Sequence, residues 1–187
     1  IDLDYVRREM LRRAPGNSQL STSRKEGDEF EILSGFFQGR TTGTPLCVVI
    51  RNTNIKPEDY AKLKSIMRPS HADYTGYVKY GGFNDYRAGG HFSGRLTAPL
   101  VFAGAICKQL LGSKGILIGS HILSIGQVQE RYLDPVNIGK DKLNELAGKA
   151  FPVIDEKIEG DMKKLIAEAK EQRDSVGGVV ETAVLGL

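Results

Sequence analysis

The order of the predicted elements indicates an α+β fold, in which antiparallel strands and long helices form a layered sandwich. Two observations support this prediction. Strand-like runs come in pairs that suit antiparallel hairpins, and long helical patterns are available to pack on them. The chain also has 187 residues, of which 40% are hydrophobic and 26% are charged. That size and composition suffice for one domain with a sizeable core.

The first half of the chain starts with a helix over residues 2–13, where apolar residues repeat at helical spacing until proline and glycine end the pattern. Residues 29–39 and 45–52 are typical of paired strands joined by the sequence RTTGT. A short helix with proline near its start is predicted over residues 56–67. Residues 68–99 are rich in glycine and tyrosine, and we expect a long loop that is either functional or disordered.

The second half alternates further helices with strands. Residues 96–111 are almost entirely apolar, which predicts a central, buried helix. Residues 115–126 indicate a buried strand or a bent pair of strands, 139–150 a helix, and 176–187 a final strand. Residues 154–175 predict a strongly amphipathic helix. Its apolar face consists of Ile158, Met162, Leu165, Ile166 and Ala169.

Charge and cysteine usage narrow the class of partner. The net charge is +3 and the pI about 8.8, whereas nucleic-acid-binding proteins concentrate far more positive charge. Small anionic ligands suit this chain better. Cys47 and Cys107 each lie in an apolar run, so we predict two buried thiols in a reducing compartment, with no disulfide and no metal site. No apolar run approaches the roughly 18 residues of a membrane-spanning helix.

A glycine-rich segment, GGHFSGRL over residues 89–96, is the first candidate site. It falls short of a P-loop, because Arg95 and Leu96 stand where lysine and serine or threonine are required. Gly89, Gly90 and Gly94 nevertheless permit close backbone approach just before a helix N-terminus, which favours an anion. A plain turn that leads the chain into the next helix explains these glycines equally well.

The three histidines differ in their surroundings. His71 follows Arg68 by three residues and precedes Asp73 by two. A histidine beside a bound anion can act as a general acid near neutrality, which makes His71 a catalytic candidate, with a surface or structural role as the alternative. His91 lies in the glycine segment and is a weaker candidate. His121 lies in an apolar run and is predicted to be a core or sheet residue.

Arginines flank the two polar loops of the first half. Arginine suits bidentate binding of phosphate and carboxylate, so several of them would fit a ligand that carries several negative charges. Solvated surface charge is the alternative for any single one of them. The five are Arg13, Arg24, Arg68, Arg87 and Arg95. No cluster of cysteine and histidine indicates a metal site, and no Ser–His–acid arrangement stands out from spacing.

Three long segments then resemble one known family. RPSHADYTGYVKYGGFNDYRAGGHFSGRLTA resembles the chorismate synthase signature, in which R-P-x-H-A-D-Y leads into K-Y-G and a glycine-rich R-x-G-G segment. RRAPGNSQLSTSRKEGDEFEILSGFFQGRTTGTPL is similar to the first conserved segment of that family, and FPVIDEKIEGDMKKLIAEAKEQRDSVGGVVE to the next one. The resemblance covers essentially the whole chain, and the motifs occur in the right order.

The resemblance implies a phosphate lyase that catalyses the last step of the shikimate pathway, in the biosynthesis of aromatic amino acids. Such an enzyme converts 5-enolpyruvylshikimate 3-phosphate to chorismate by 1,4-elimination of phosphate and requires reduced FMN. It further implies a cytoplasmic homotetramer of β-α-β sandwich subunits, with a small-molecule substrate and neither a nucleic-acid nor a membrane partner. The sequence leaves open whether the full protein reduces its own flavin, with the reduced form of NADP, NADPH, as the electron donor.

Site residues follow from the resemblance position by position. It implies a catalytic role for His71. Substrate binding is implied for Arg13, Arg24, Arg68 and Arg95, and contact with flavin for His91, Phe92 and Ser93. Family members mostly read R-S-S-A-R-E where this chain reads HFSGRL, so Ser93 and Arg95 are the two residues that agree there.

The same resemblance implies that residues 1–187 are a single partial domain of a longer chain. The family's N-terminal segment, with G-E-S-H-G and another catalytic histidine, has no counterpart here, nor has the C-terminal half with its catalytic aspartate. We therefore expect the 187-residue chain alone to have no turnover. Two other interpretations stay open: a non-catalytic module that binds an anion or nucleotide, and a structural fragment whose loops are disordered.

Overall fold

The computed structural model describes residues 1–15, 20, 27–52, 60, 65–69 and 71–187. The described residues fall into two compact units. The first runs to Ala105 and the second from Ile106, with Leu20 grouped with the second. The prediction of one domain therefore stays a prediction, and each unit is considered by itself.

The first unit opens with helix α1, Leu3–Arg13, as the sequence predicts. The helix starts where it does because the Asp2 carboxylate accepts hydrogen bonds from the backbone N–H groups of Asp4, at 2.8 Å, and Tyr5, at 3.0 Å. Basic residues in the last turn suit the negative end of the helix dipole. Val6 and Met10, four residues apart, form the buried face.

The predicted strand pair is present and is accompanied by a second, smaller pair. β1, Phe30–Ser34, pairs antiparallel with β4, Cys47–Ile50. Between them, β2, Phe36–Phe37, and β3, Arg40–Thr41, form a short hairpin. Gly35 connects the two pairs at φ +81°, where a Cβ would lie 2.6 Å from the Leu46 backbone. Only glycine fits there.

The region after β4 differs from the sequence prediction. The helix predicted over residues 56–67 lies mostly outside the described residues, and its described end, 65–66, forms a turn. The long loop predicted over residues 68–99 is wrong, because it contains helix α2, Asp73–Lys79, and two 3₁₀ helices, Arg87–Phe92 and Gly94–Leu96. Hydropathy missed them because they bury few aliphatic side chains.

One contact explains how α2 tolerates a glycine in its middle. Gly76 is buried, and a Cβ built on it would lie 2.4 Å from Cε2 of Phe92. The Phe92 ring therefore packs directly on the α2 backbone, with the Tyr80 ring at a centroid distance of 6.4 Å. The gain from packing an aromatic ring offsets the cost of about 1 kcal/mol for glycine in a helix.

Helix α3, Thr97–Ser113, has the predicted bounds to within two residues, but the prediction that it is buried is wrong. The buried residues are Ala98, Phe102 and Ala105, a single stripe at helical spacing, and Phe102 packs edge-to-face on Phe30. Leu100 is 71% exposed. A uniformly apolar helix presents apolar surface on every side, and the described residues cover one of those sides.

The same helix bears on the membrane prediction. The helical stretch Gly94–Ser113 has a mean hydropathy of 1.3, so by length and composition it could cross a membrane. The core helix of a soluble protein meets the same criterion, which makes this weak support for a span. The expectation of no membrane partner therefore stays a prediction.

The predicted burial of the two cysteines is also wrong, since Cys47 and Cys107 are both exposed free thiols. Cys47 is at the start of β4, in a two-stranded sheet, and it is the exposed residue of a strand whose other members are half-buried. Cys107 lies outside the buried stripe of α3. In both cases the apolar run was identified correctly, while the orientation of one residue within it depended on packing.

The second unit is built on an antiparallel sheet with strand order β6-β5-β7. β5, Leu117–Ile125, and β7, Gly178–Leu185, match the predicted strands, whereas the short β6, Val128–Gln129, was not predicted. The register pairs His121 of β5 with Glu181 of β7. This register determines the surroundings of His121.

Two helices complete the second unit at their predicted places, α4, Lys140–Gly148, and α5, Glu156–Glu171. Leu143 of α4 lies against β5, where a Cβ on Gly119 would come within 2.9 Å of it. The predicted apolar face of α5 is confirmed, with Met162 fully buried and its four companions half-buried. Helices together with antiparallel strands confirm the predicted α+β class.

Candidate functional site

Arg68 and Asp73 form the centre of the candidate site in the first unit. The Asp73 carboxylate accepts from Arg68 Nε at 2.8 Å, from Nη2 at 2.9 Å and from the Arg68 backbone N–H at 3.1 Å. This bidentate contact holds the pKa of Asp73 far below its usual range, against the opposing effect of burial. The same hydrogen bond raises the pKa of Arg68. Both groups are therefore ionised at neutral pH.

His71 lies against this pair, as the sequence predicts from spacing. Its Nδ1 is 2.6 Å from Asp73 Oδ1, and Arg68 Nη2 is 3.2 Å from each ring nitrogen. One quarter of the side chain is exposed. A half-buried imidazole with an ionised carboxylate and a guanidinium beside it has the surroundings of a group that binds anions and moves protons.

The glycine segment packs on this histidine. Gly89 has φ +82°, and a Cβ there would lie 3.4 Å from His71 Nε2 and 3.6 Å from Ser93 Cβ. Gly90 has φ +51°, and a Cβ there would lie 2.0 Å from the Asp85 carbonyl oxygen. Both glycines are thus required by backbone geometry. His71 and Ser93 therefore both lie close to Gly89.

A second cluster forms around Asp28, a residue that sequence reasoning missed. Its side chain is completely buried. Arg13 Nη1 donates to Asp28 Oδ2, while Arg13 Nε donates to Thr97 Oγ1 at 3.1 Å. Arg95 Nη2 lies 4.0 Å from Asp28 Oδ1. No spacing rule connects positions 13, 28 and 95, so proximity in the fold is the one signal that joins them.

Ser93 and Thr97 fix the backbone that carries Arg95. Ser93 Oγ accepts a hydrogen bond from the Arg95 N–H at 3.2 Å, and Thr97 Oγ1 donates to the Gly94 carbonyl at 2.7 Å. These contacts close the 3₁₀ turn before α3. Arg95 is thereby held by the start of the helix as well as by its neighbour Asp28.

His91 and Phe92 help to line a small cleft in the first unit. The cleft has a volume of about 280 Å³, and His91 is exposed at its edge. Its lining is mainly aromatic, with Asn84 and Asp85 as polar members: Tyr80, Phe83, Asn84, Asp85, His91 and Phe92. Phe83 is 95% exposed. The arrangement offers apolar surface to a planar ring.

The other predicted arginines have different positions. Arg87 forms a solvent-exposed pair with Asp85, donating from Nε and from Nη2, each at 2.8 Å. That contact lowers the pKa of Asp85 to about 2. Arg24 lies outside the described residues.

Within the described part of the chain, no group of three or more histidine, cysteine or acidic side chains could hold a metal ion.

His121 is confirmed as a buried sheet residue. It has no exposed surface, and its Nε2 lies 2.7 Å from Glu181 Oε2. The same carboxylate oxygen accepts the Leu133 N–H at 2.7 Å. Glu181 loses water on burial, which raises its pKa, but the hydrogen bonds from Leu133 and His121 outweigh this and lower it. The pair connects β5 to β7, and its imidazole has no exposed surface.

Comparison with known proteins gives a single family. The chorismate synthase family model matches residues 1–187. A chorismate synthase from Dehalococcoides mccartyi is 41% identical over 187 residues, which cover the whole chain and 50% of that relative. One from Methanothermobacter thermautotrophicus is 40% identical over 185 residues, which cover 98% of the chain and 48% of that relative. The chain thus spans about half the length of these curated relatives.

A solved structure agrees. A crystal structure of chorismate synthase superimposes with a TM-score of 0.66 at 29% sequence identity, covering 98% of this chain and 49% of that one. The described fold is therefore similar to half of a known fold.

Proposed function

Because the chain belongs to the chorismate synthase family, we propose that the full-length protein converts 5-enolpyruvylshikimate 3-phosphate to chorismate and phosphate. The observation that carries the proposal is the family match over all 187 residues. The Arg68–His71–Asp73 cluster supports it, because it places a proton-transfer group against a fixed guanidinium. We expect the 187-residue chain by itself to have no turnover, since it spans half of its relatives.

The arginines of the site are the groups that we propose to bind the anionic groups of the substrate. Two guanidiniums, Arg13 and Arg95, lie near the completely buried carboxylate of Asp28. Arg68 and Asp73 balance each other, so His71 adds positive charge there when it is protonated. Two guanidiniums that lie close together attract a phosphate or carboxylate group and can bind it bidentately.

Arg13 and Arg95 are therefore proposed to bind the phosphate of the substrate, and Arg68 a neighbouring oxygen. Buried carboxylates hold all three guanidiniums in place, so binding costs little side-chain entropy. Arg24, which lies outside the described residues, joins this set through the resemblance alone.

The aromatic cleft fits the flavin that this reaction requires, in that it offers apolar surface to a planar ring. His91, Phe92 and Ser93 are the residues proposed to contact reduced FMN. When bound, reduced FMN supplies an electron transiently, with no net redox change in the reaction. His71 is proposed to hold or donate a proton beside it. A cytoplasmic homotetramer is part of the same proposal.

The test is anaerobic chorismate formation by the full-length protein with reduced FMN. Arg95→Ala is expected to raise KM for the substrate, because it removes a charged contact worth roughly 1.5–3 kcal/mol. Arg51→Ala is the matched control, since Arg51 is an exposed arginine of the same unit whose weak pair with Glu31 has a 3.5 Å separation. An inactive wild-type protein would refute the enzyme assignment. Equal KM values for both variants would refute the role of Arg95.

A further inference from the structure

The two ring nitrogens of His71 have different neighbours, and Asp73 makes the difference. Oδ1 of Asp73 lies 2.6 Å from Nδ1, while Nε2 faces the Gly89 side. We propose that Asp73 is a positioning residue that keeps a proton on Nδ1 of His71, so that Nε2 is the nitrogen that exchanges a proton with the ligand. This inference rests on the proposed function of the site.

Donor and acceptor chemistry selects one neutral tautomer. A carboxylate only accepts hydrogen bonds and a guanidinium only donates them. Arg68 Nη2 lies 3.2 Å from each ring nitrogen, so distance does not select between them. Because a donor needs a lone pair, Nη2 can donate only to the ring nitrogen that carries no hydrogen. With the proton on Nδ1, that nitrogen donates to Asp73 and Nε2 accepts from Arg68. The opposite tautomer would place a lone pair against the carboxylate and an N–H against the guanidinium.

The contacts of Asp73 fix its carboxylate in the position that this role requires. Its side chain is 10% exposed, and Arg68 contacts it through Nε, Nη2 and the backbone N–H. The contact keeps the carboxylate ionised, because it depresses the pKa of Asp73. The carboxylate therefore accepts from Nδ1–H in both protonation states of the ring. An anchored carboxylate that orients a histidine is a recurring device in sites that transfer protons.

In the proposed proton transfer Asp73 stays ionised throughout. The imidazolium carries hydrogen on both nitrogens; the Nε2–H bond breaks, its electron pair stays on the ring, and the proton goes to a ligand atom. The product is the neutral Nδ1–H ring, which solvent reprotonates at Nε2. Gly89 leaves room on this side, because a Cβ there would lie 3.4 Å from Nε2. Arg68 Nη2 gives up its contact with Nε2 when that nitrogen is protonated.

The first measurement uses the unaltered full-length protein. ¹⁵N NMR of histidine-labelled protein, with His71 assigned by the loss of its signals in His71→Gln, reports which nitrogen carries hydrogen in the neutral ring. Nδ1–H is expected. A neutral ring with hydrogen on Nε2 overturns the proposal, whatever the activity of the protein. Because it needs no turnover, this result is independent of the proposed reaction.

The second measurement removes the carboxylate. Asp73→Asn is expected to shift the His71 tautomer toward Nε2–H, to lower kcat about 10²-fold and to move the pH profile of kcat. Asp73→Glu, which restores a carboxylate, is expected to recover part of that loss. Asp134→Asn is the matched control, an exposed aspartate of the second unit that accepts from Val136 and Asn137. It should leave kcat and tautomer unchanged.

The proposal is overturned if Asp73→Asn keeps the Nδ1–H tautomer and its kcat stays within about threefold of wild type. It is also overturned if Asn and Glu reduce kcat equally with an unmoved pH profile, since that indicates a purely structural aspartate. If Asp73→Asn does not fold, the tautomer measured by NMR in the wild-type protein tests the proposal by itself. An inactive wild-type enzyme with an Nδ1–H tautomer refutes the reaction and leaves the positioning role intact.

Discussion

His71 and His121 each contact a carboxylate at nearly the same distance, 2.6 Å to Asp73 and 2.7 Å to Glu181. One pair is two residues apart in sequence and the other sixty. The two rings differ most in the exposure of the nitrogen that does not contact the carboxylate. Nε2 of His71 belongs to a ring that is 25% exposed, whereas Nδ1 of His121 is buried with no hydrogen-bond partner among the described residues.

The comparison teaches that a carboxylate contact does not by itself make a histidine functional. Access to the second nitrogen decides whether the ring can exchange a proton with a ligand. In the first unit Nε2 of His71 lies beside Gly89, which has no side chain, whereas in the second unit the ring is buried where β5 pairs with β7. The following changes alter one pair at a time.

The largest effect is expected from His71→Ala in the full-length protein. Loss of a general acid typically costs about 10²–10⁴ in rate, and kcat for chorismate formation should fall accordingly. The free energy of unfolding should change by less than about 1 kcal/mol, because the ring is partly exposed and Asp73 keeps its contacts with Arg68. A wild-type rate in this variant would remove His71 from the mechanism.

His121→Ala should give the opposite pattern. It leaves a cavity at a fully buried position and takes one donor from Glu181, at an expected cost of about 2–4 kcal/mol of unfolding free energy. The rate per folded molecule should remain near wild type. Urea unfolding followed by circular dichroism measures the first quantity and anaerobic turnover the second. An intact stability with a large loss of rate would reverse the assignment of the two histidines.

A smaller effect is expected when access to His71 is narrowed. Gly89→Ala combines a strained φ of +82° with a Cβ 3.4 Å from Nε2. Gly43→Ala is the matched control, because its φ is +80° and nothing lies within 4 Å of the new Cβ. Both variants should lose about 1 kcal/mol of stability from backbone strain. Only Gly89→Ala should also lower kcat, and equal rates in the two would contradict the importance of access.

The smallest effect concerns acid stability. The pKa values of Asp73 and Glu181 are both depressed in the fold, so each stabilises it above the pKa of the unfolded chain, near 4, and that contribution is lost as pH falls through the folded value. Asp73 is depressed further, so its contribution should persist to lower pH. Glu181→Gln should flatten the pH dependence of the unfolding free energy at a higher pH than Asp73→Asn. Identical acid profiles for wild type and Glu181→Gln would show that the pair contributes no pH-linked stability.

The sequence by itself determined most of the helices and strands. Apolar periodicity and the proline and glycine that end a helix are local signals, and they placed α1, α4 and α5 and the strands β4, β5 and β7 near their observed bounds. They failed where elements are held by contacts other than aliphatic burial. Helix α2, whose Gly76 supports the Phe92 ring, was predicted as loop for that reason.

The site divides in the same way. The Arg68–His71–Asp73 cluster could be predicted because its members are five residues apart at most, so sequence neighbours are also spatial neighbours. The family motifs gave the remaining candidates. The exposure of Cys47 and Cys107 could not be predicted, because a local apolar run does not show which of its sides the rest of the chain covers.

Tertiary structure alone decided which charges from distant parts of the chain meet. Asp28 lies between Arg13 and Arg95 because the chain returns to the same place after intervals of 15 and 67 residues. Glu181 reaches His121 only through the register of two strands that are separated by more than 50 residues. Hydropathy and spacing report on a window of a few helical turns, whereas the protonation and orientation of a buried group depend on whatever the fold places within 3–4 Å of it.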